Sequence, residues 1–234
     1  VDLIFEETPF YAESGGQVGD IGAASNKSCL IDILDTQKSK EGFYIHSGII
    51  KDGEIKTGER VSLSVDKNKR YATSAHHTAT HILNSCLRDI LGSHVRQAGS
   101  LVESNRLRFD FSHFSNIDQG TLSQIERLCN DRIRLNFPIE IREDVEYKRA
   151  IKEGATAFFE EKYGDVVRVV KIGDFSMELC GGIHVNNTGE LGFFHISSEG
   201  AVSSGIRRIE AHTGDSAYHH IENLKKNLVD SSAL

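Results

Sequence analysis

Cysteine is scarce in this 234-residue chain, with Cys29, Cys86, Cys129 and Cys180 at irregular spacing. That pattern excludes a disulfide framework and points to a reducing compartment, so a cytoplasmic location is expected. Long apolar runs are missing too. No stretch approaches the roughly 20 residues that a membrane-crossing helix needs. The N-terminus lacks the basic-then-apolar pattern of a signal peptide, and no membrane partner is expected. Positive charge is in deficit, with 27 Lys and Arg against 34 Asp and Glu and a net charge of −7. This argues against indiscriminate nucleic-acid binding but leaves room for a local basic groove. Internal repeats, low-complexity tracts and a GxSxG nucleophile elbow are also absent. What remains is 38% hydrophobic and 26% charged, an ordinary globular composition, long enough for one large domain or two small ones.

Two short stretches carry metal-type ligands: His76-His77-Thr78-Ala79-Thr80-His81 and Cys180-Gly181-Gly182-Ile183-His184. Each places one ligand at i and another at i+4, which on a helix puts both on one face about a turn apart. Either pair alone reads as readily as two solvated side chains. Together, His77, His81, Cys180 and His184 offer three imidazoles and one thiolate, a set that suits a single zinc ion. Across residues 72–91 the apolar Ala75, Ala79, Ile82, Leu83, Cys86, Leu87 and Ile90 form one helical stripe, and Gly92 follows as a stop. His77, His81, Asn84 and Arg88 fall on the opposite side, facing either bulk water or a polar cleft closed by another segment. The Cys180 segment is the candidate, because Gly181 and Gly182 let backbone come close.

The expected fold class is α+β. Residues 1–66 read as a β-rich, barrel-like subdomain of short strands near 1–5, 29–34, 43–50 and 60–65, with a turn at Lys51-Asp52-Gly53. A glycine-rich polar loop at residues 8–20 is either a connector or a surface that a ligand approaches. Residues 67–214 read as an α+β core. The histidine helix opens it, and a hairpin around Ser104-Asn105-Arg106 follows. Next comes an amphipathic helix with Leu122, Ile125, Leu128, Cys129 and Ile133 on one face. A strand at 138–145, a short helix at 147–152 and strands at 166–172, 192–197 and 205–211 complete one sheet. Residues 215–234 read as a helix with a narrow seam at Ala217, Ile221, Leu224 and Leu228, suited to one partner helix and to the start of a linker in a longer chain. Cys29, Cys86 and Cys129 read as small core residues.

The ordered motifs YAESGGQVGD, HHTATH, RQAGSLV, LRFDFSH, GATAFFEEKYGD, VRVV, ELCGGIHV, NTGELG and GIRRIEAHTG resemble the editing domain of alanyl-tRNA synthetases, from about Leu3 to Gly214. Free-standing alanyl-tRNA deacylases and the threonyl-tRNA synthetase editing domain share parts of the pattern. The resemblance implies hydrolysis of tRNA(Ala) mischarged with serine or glycine, with no activation of alanine because the aminoacylation domain is absent. The difficulty such a module answers is energetic: one methylene is worth only about 1–3 kcal/mol of discrimination. By the resemblance, Thr80 is the candidate for sensing the serine hydroxyl and Gln97 for orienting the scissile ester. Gly15, Gly16 and Gln17 are expected beside the pocket. The acceptor end of tRNA(Ala) is expected to meet Arg70, Arg207 and Arg208 at the rim, with Lys67 and Lys69 nearby. The tail helix would lead to the rest of the synthetase. Four protein ligands normally describe a closed structural zinc, so the metal is expected to position substrate rather than act as a strong Lewis acid. Two alternatives stay open on the sequence: a free-standing trans-editing deacylase, and a non-catalytic zinc-stabilised RNA-binding module.

Overall fold

The computed structural model describes residues 1–157 and 163–232. The first five strands, β1 (Asp2–Leu3), β2 (Gly22–Ser25), β3 (Cys29–Lys38), β4 (Tyr44–Gly53) and β5 (Ser62–Val65), form one antiparallel sheet in the order β1-β4-β3-β2-β5. Phe10, Ala24, Cys29, Ile31 and Ile33 are its buried core. Hydrogen bonding among the described residues does not pair β1 with β5, so the barrel expected from the sequence is not closed. Strand β2 escapes a propensity reading because Gly-Ala-Ala-Ser has no branched or aromatic side chain. Glycine is needed there: a Cβ on Gly22 would lie 2.1 Å from the Ser64 carbonyl oxygen on β5. Lys51-Asp52-Gly53 is not a turn. The ladder continues past a register shift, pairing Asp52 with Leu30 and Gly53 with Cys29.

Helix α1 (Lys67–Leu91) is the element against which the rest packs. Asp66 caps it by accepting from the Asn68 and Lys69 N–H groups, and Gly92, at φ 113°, closes it. Ala75, Ala79, Ile82, Leu83, Cys86 and Leu87 join one core with Leu122, Ile125, Cys129 and Ile133 of α2 (Gln119–Arg134). Phe109 and Phe111 of β7 (Leu107–Ser112) complete that cluster. Burying a side chain of this size stabilises by roughly 1.5–3 kcal/mol. From Thr73 to Leu87 every residue of α1 is buried, including those on its polar side. The histidine face is therefore covered by protein rather than by water.

The second half holds two sheets instead of one. β6 (Gln97–Val102), β7, β11 (Phe194–Ser203) and β12 (Ile206–Thr213) pair in the order β11-β12-β7-β6. A separate sheet runs β10-β9-β8, built from β8 (Ile139–Glu146), β9 (Val166–Ile172) and β10 (Ser176–Leu179), with α3 (Tyr147–Lys152) after β8. Strand β10 is four residues long and contains Glu178, so no apolar run announces it. Part of the GATAFFEEKYGD motif, residues 158–162, lies outside the described residues.

Helix α4 (Asp215–Ser232) buries Ala217 but exposes Leu224 by 45% and Leu228 by 71%, leaving most of its seam uncovered. Buried His76 ties α1 to the start of α4. Its Nδ1 faces the Ala72 carbonyl at 2.8 Å, while Nε2 accepts from the Thr213 N–H at 3.2 Å and lies 3.1 Å from Ser216 Oγ. Burial pushes this imidazole down to about 4, so it is neutral at neutral pH.

Candidate metal centre and cavity

His77 and His81, one turn apart on α1, face the loop that leaves β10. That loop carries Cys180 and His184, and it is irregular rather than helical. The i+4 spacing of the second pair is thus met by a chain that curls back, with Gly182 at the point of closest approach. A Cβ on Gly182 would sit 2.0 Å from His77 Cε1 and 2.8 Å from Gln17 Oε1. Gly181, by contrast, has open space at its Cβ position. Arg168 fixes the curl by donating from Nη1 to the carbonyls of Cys180, at 2.9 Å, and Gly182, at 2.8 Å.

The donor atoms of His77, His81, Cys180 and His184 all lie within 4.8 Å of one another. Cys180 Sγ is 3.4 Å from His77 Nε2 and 3.3 Å from His184 Nε2. Each imidazole is held from behind through Nδ1. Gln17 Oε1 accepts from His77 Nδ1 at 2.7 Å and from the Ile183 N–H at 2.9 Å. Thr78 Oγ1 donates to the Ser74 carbonyl and lies 3.0 Å from His184 Nδ1. Glu178 accepts from His81 Nδ1 with one oxygen and from Asn84 Nδ2, at 2.9 Å, with the other. Anchoring Nδ1 leaves each Nε2 as the free donor, the arrangement by which outer groups orient metal ligands.

One atom tests whether a cation fits. His81 Nε2 is buried and has no hydrogen-bond partner among the described residues. A buried polar atom left unpaired is costly, and this one belongs to a four-donor set. These residues could hold a metal ion. The titration of the cluster agrees. Burial alone would raise the Cys180 thiol, but His77, His184 and His81 hold it well below its usual value. Burial lowers His81, yet Glu178 and Cys180 outweigh this and raise it to about 10. Burial takes His184 down to about 3. A thiolate facing one protonated and one neutral imidazole is a donor set that would release protons if a cation bound.

A cavity of about 270 Å³ adjoins the donors. Thr80 and Asn84 of α1, Gln97 and Ser100 of β6, and Phe109 of β7 form one wall, while Tyr11, Ser14 and Gly15 form another. Thr80 and Gln97 therefore line the space, as does Gly15. Gly16 packs away from it, against the Ser100 backbone, and Gln17 is turned toward His77. The three arginines are already partnered. Arg70 bonds Asp20 and the Pro9 carbonyl, Arg207 bonds Glu199 and Asn116, and Arg208 grips both oxygens of Asp110 at 2.6 and 2.8 Å. None of them lines this cavity. Glu178, Tyr11, Ser14, Phe109 and Tyr163 are wall residues that the sequence did not single out. Their signals were indirect: Tyr11 and Ser14 lie in the polar loop at 8–20, and Glu178 stands two residues before Cys180. Tyr11 is pushed up to about 12 by burial and stays neutral.

Comparison with known proteins gives two family matches. Residues 1–69 match the family of tRNA synthetases class II (A), and residues 167–210 match the threonyl and alanyl tRNA synthetase second additional domain. The chain is 50% identical over 230 residues to an alanine–tRNA ligase of Acetivibrio thermocellus, covering 98% of this chain and 26% of that protein. For the Bacillus subtilis ligase the figures are 50% over 219 residues, 93% and 25%. For that of Fervidobacterium nodosum they are 53% over 213 residues, 91% and 24%. The chain thus spans about a quarter of the length of these curated relatives.

Proposed function

We propose that this chain, similar to part of alanine–tRNA ligases and matching the threonyl and alanyl tRNA synthetase second additional domain, is an editing module that hydrolyses the ester of tRNA(Ala) mischarged with serine or glycine. The observation that carries the reading is the cavity: Thr80 and Gln97 line a space whose wall includes His77, His81 and Cys180, three of the four metal-type donors. Thr80 Oγ1 donates its proton to the His76 carbonyl at 2.9 Å, which leaves the oxygen as an acceptor. A serine side chain can donate to it, and alanine cannot. A site built around such a hydrogen bond discriminates far better than one built on a methylene. The Gln97 side chain has no hydrogen bond to any described residue, so its amide is available to donate to the ester carbonyl. Asn84 Oδ1, buried with no partner among the described residues, is a further acceptor in the wall, suited to the substrate's amino group.

Zinc is the cation that His77, His81, Cys180 and His184 suit, and when bound it would supply positive charge beside the ester. The Cys180 thiolate offsets part of that charge, which favours a positioning role. The attacking water is then held by polar groups of the wall. The acceptor end is the RNA partner, and the exposed seam of α4 fits a continuation into the rest of a synthetase. The segments 1–66, 67–214 and 215–234 are the corresponding parts.

The test compares hydrolysis of Ser-, Gly- and Ala-tRNA(Ala) with and without zinc. The expected result is rapid loss of serine and glycine, sparing of alanine, and dependence on the metal. Thr80→Val should lower the serine-over-alanine preference about tenfold while leaving glycine hydrolysis closer to wild type. Equal rates on serine and alanine, or no hydrolysis by zinc-loaded protein, would overturn the reading.

A further inference from the structure

A second cavity, of about 390 Å³, lies beside the first and shares Tyr11, Ser14 and Gly181 with it. Its remaining wall includes Lys38, Tyr44 and Arg70, with no Asp or Glu among its described lining residues. The chain as a whole carries a net charge of −7; the cavity by Val18 and Gly19, for example, is walled by Glu13, Asp35 and Glu103 against a single Lys69. Lys38 and Tyr44 face each other across the end of the β3–β4 hairpin, with the ammonium 5.4 Å from the ring centroid. Tyr44 is 37% exposed. Arg70 is neutralised by Asp20, whereas Lys38 forms no ion pair with any described residue.

Resting on the deacylase reading, the geometry points to a subsite on the β3–β4 hairpin for the nucleotides just 5′ of the esterified one, Tyr44 stacking on a base and Lys38 meeting a phosphate. An exposed aromatic ring beside an uncompensated cation is how single-stranded nucleic acid is held without reading its sequence. The shared wall places this surface next to the aminoacyl cavity. The cation–π contact keeps both groups on one surface, so a stacked base brings its phosphate toward the ammonium.

Two seryl esters separate this subsite from the deacylase reading itself. One is a seryl minihelix with a single-stranded 3′ end, and the other is 3′-O-seryl-adenosine, which has no flanking nucleotide. Tyr44→Ala and Lys38→Glu should each lower the ratio of kcat/KM for minihelix over seryl-adenosine about tenfold. Lys38→Glu should also flatten the salt dependence on the minihelix, the log–log slope losing about 0.7 for one phosphate contact. An unchanged ratio with wild-type salt dependence would overturn the subsite while leaving the deacylase intact, and so would equal losses on both esters. If wild-type protein cleaves neither ester, the deacylase reading fails and takes the subsite with it.

Discussion

Cys180→Ala is expected to abolish stable metal binding and serine deacylation while leaving the metal-free fold near its original stability. The thiolate is the one anionic member of the donor set, and three imidazoles converge on it. Loss of an outer-shell partner typically costs 10–100-fold in metal affinity, so loss of a direct ligand should exceed about 100-fold. A 100-fold change corresponds to about 2.7 kcal/mol of metal-linked stability. Matched thermal melts with and without zinc, alongside Ser-tRNA(Ala) hydrolysis, separate the effects. The account expects the zinc-induced rise in Tm and the activity to vanish together, with little change in the metal-free melt. If the metal-free melt falls as far as the activity does, the cluster has a structural role instead.

Gly182→Ala should be nearly as damaging, although alanine adds only one methyl. Its Cβ would lie 2.0 Å from His77 Cε1, 2.3 Å from His77 Nδ1 and 2.8 Å from Gln17 Oε1. Either the imidazole swings off its ligand position or the loop pinned by Arg168 moves; overpacking of this kind costs about 1–3 kcal/mol. Because Gly182 meets His77 at the same edge where Nδ1 bonds Gln17 Oε1, displacement breaks the orienting hydrogen bond as well. Zinc affinity, measured against a competing chelator, should fall at least about 10-fold. Gly181→Ala, whose Cβ meets nothing within 4 Å, is the control and should keep affinity near wild type. Wild-type affinity in Gly182→Ala would show that the close approach is not needed.

Helix α1 was legible because the period of its apolar stripe and the Gly92 stop are local signals. The ligand pairs were legible for a related reason, since i and i+4 are read along a single stretch. The second pair joins the first in one cluster, but the helical argument does not apply to it, because its loop reaches the same spacing by curling around Gly182. The groups that aim the imidazoles were not legible. Gln17 lies 60 positions from His77, and Glu178 lies 97 from His81. Their roles exist only once the N-terminal loop and β10 have docked on α1. The same holds for the arginines. Nothing local in the sequence tells that Asp20, Glu199 and Asp110 occupy Arg70, Arg207 and Arg208. Strand β2 was hidden for the opposite reason: its small residues carry no strand propensity, and tight spacing against β5 rather than side-chain packing holds it in place.

X-ray absorption at the zinc edge of the reconstituted protein tests the centre most directly. A four-ligand site built from Cys180, His77, His81 and His184 predicts one sulfur at about 2.3 Å and three nitrogens at about 2.0–2.1 Å. A first shell of nitrogen and oxygen with no sulfur, or a metal bound in more than one environment per chain, would contradict it.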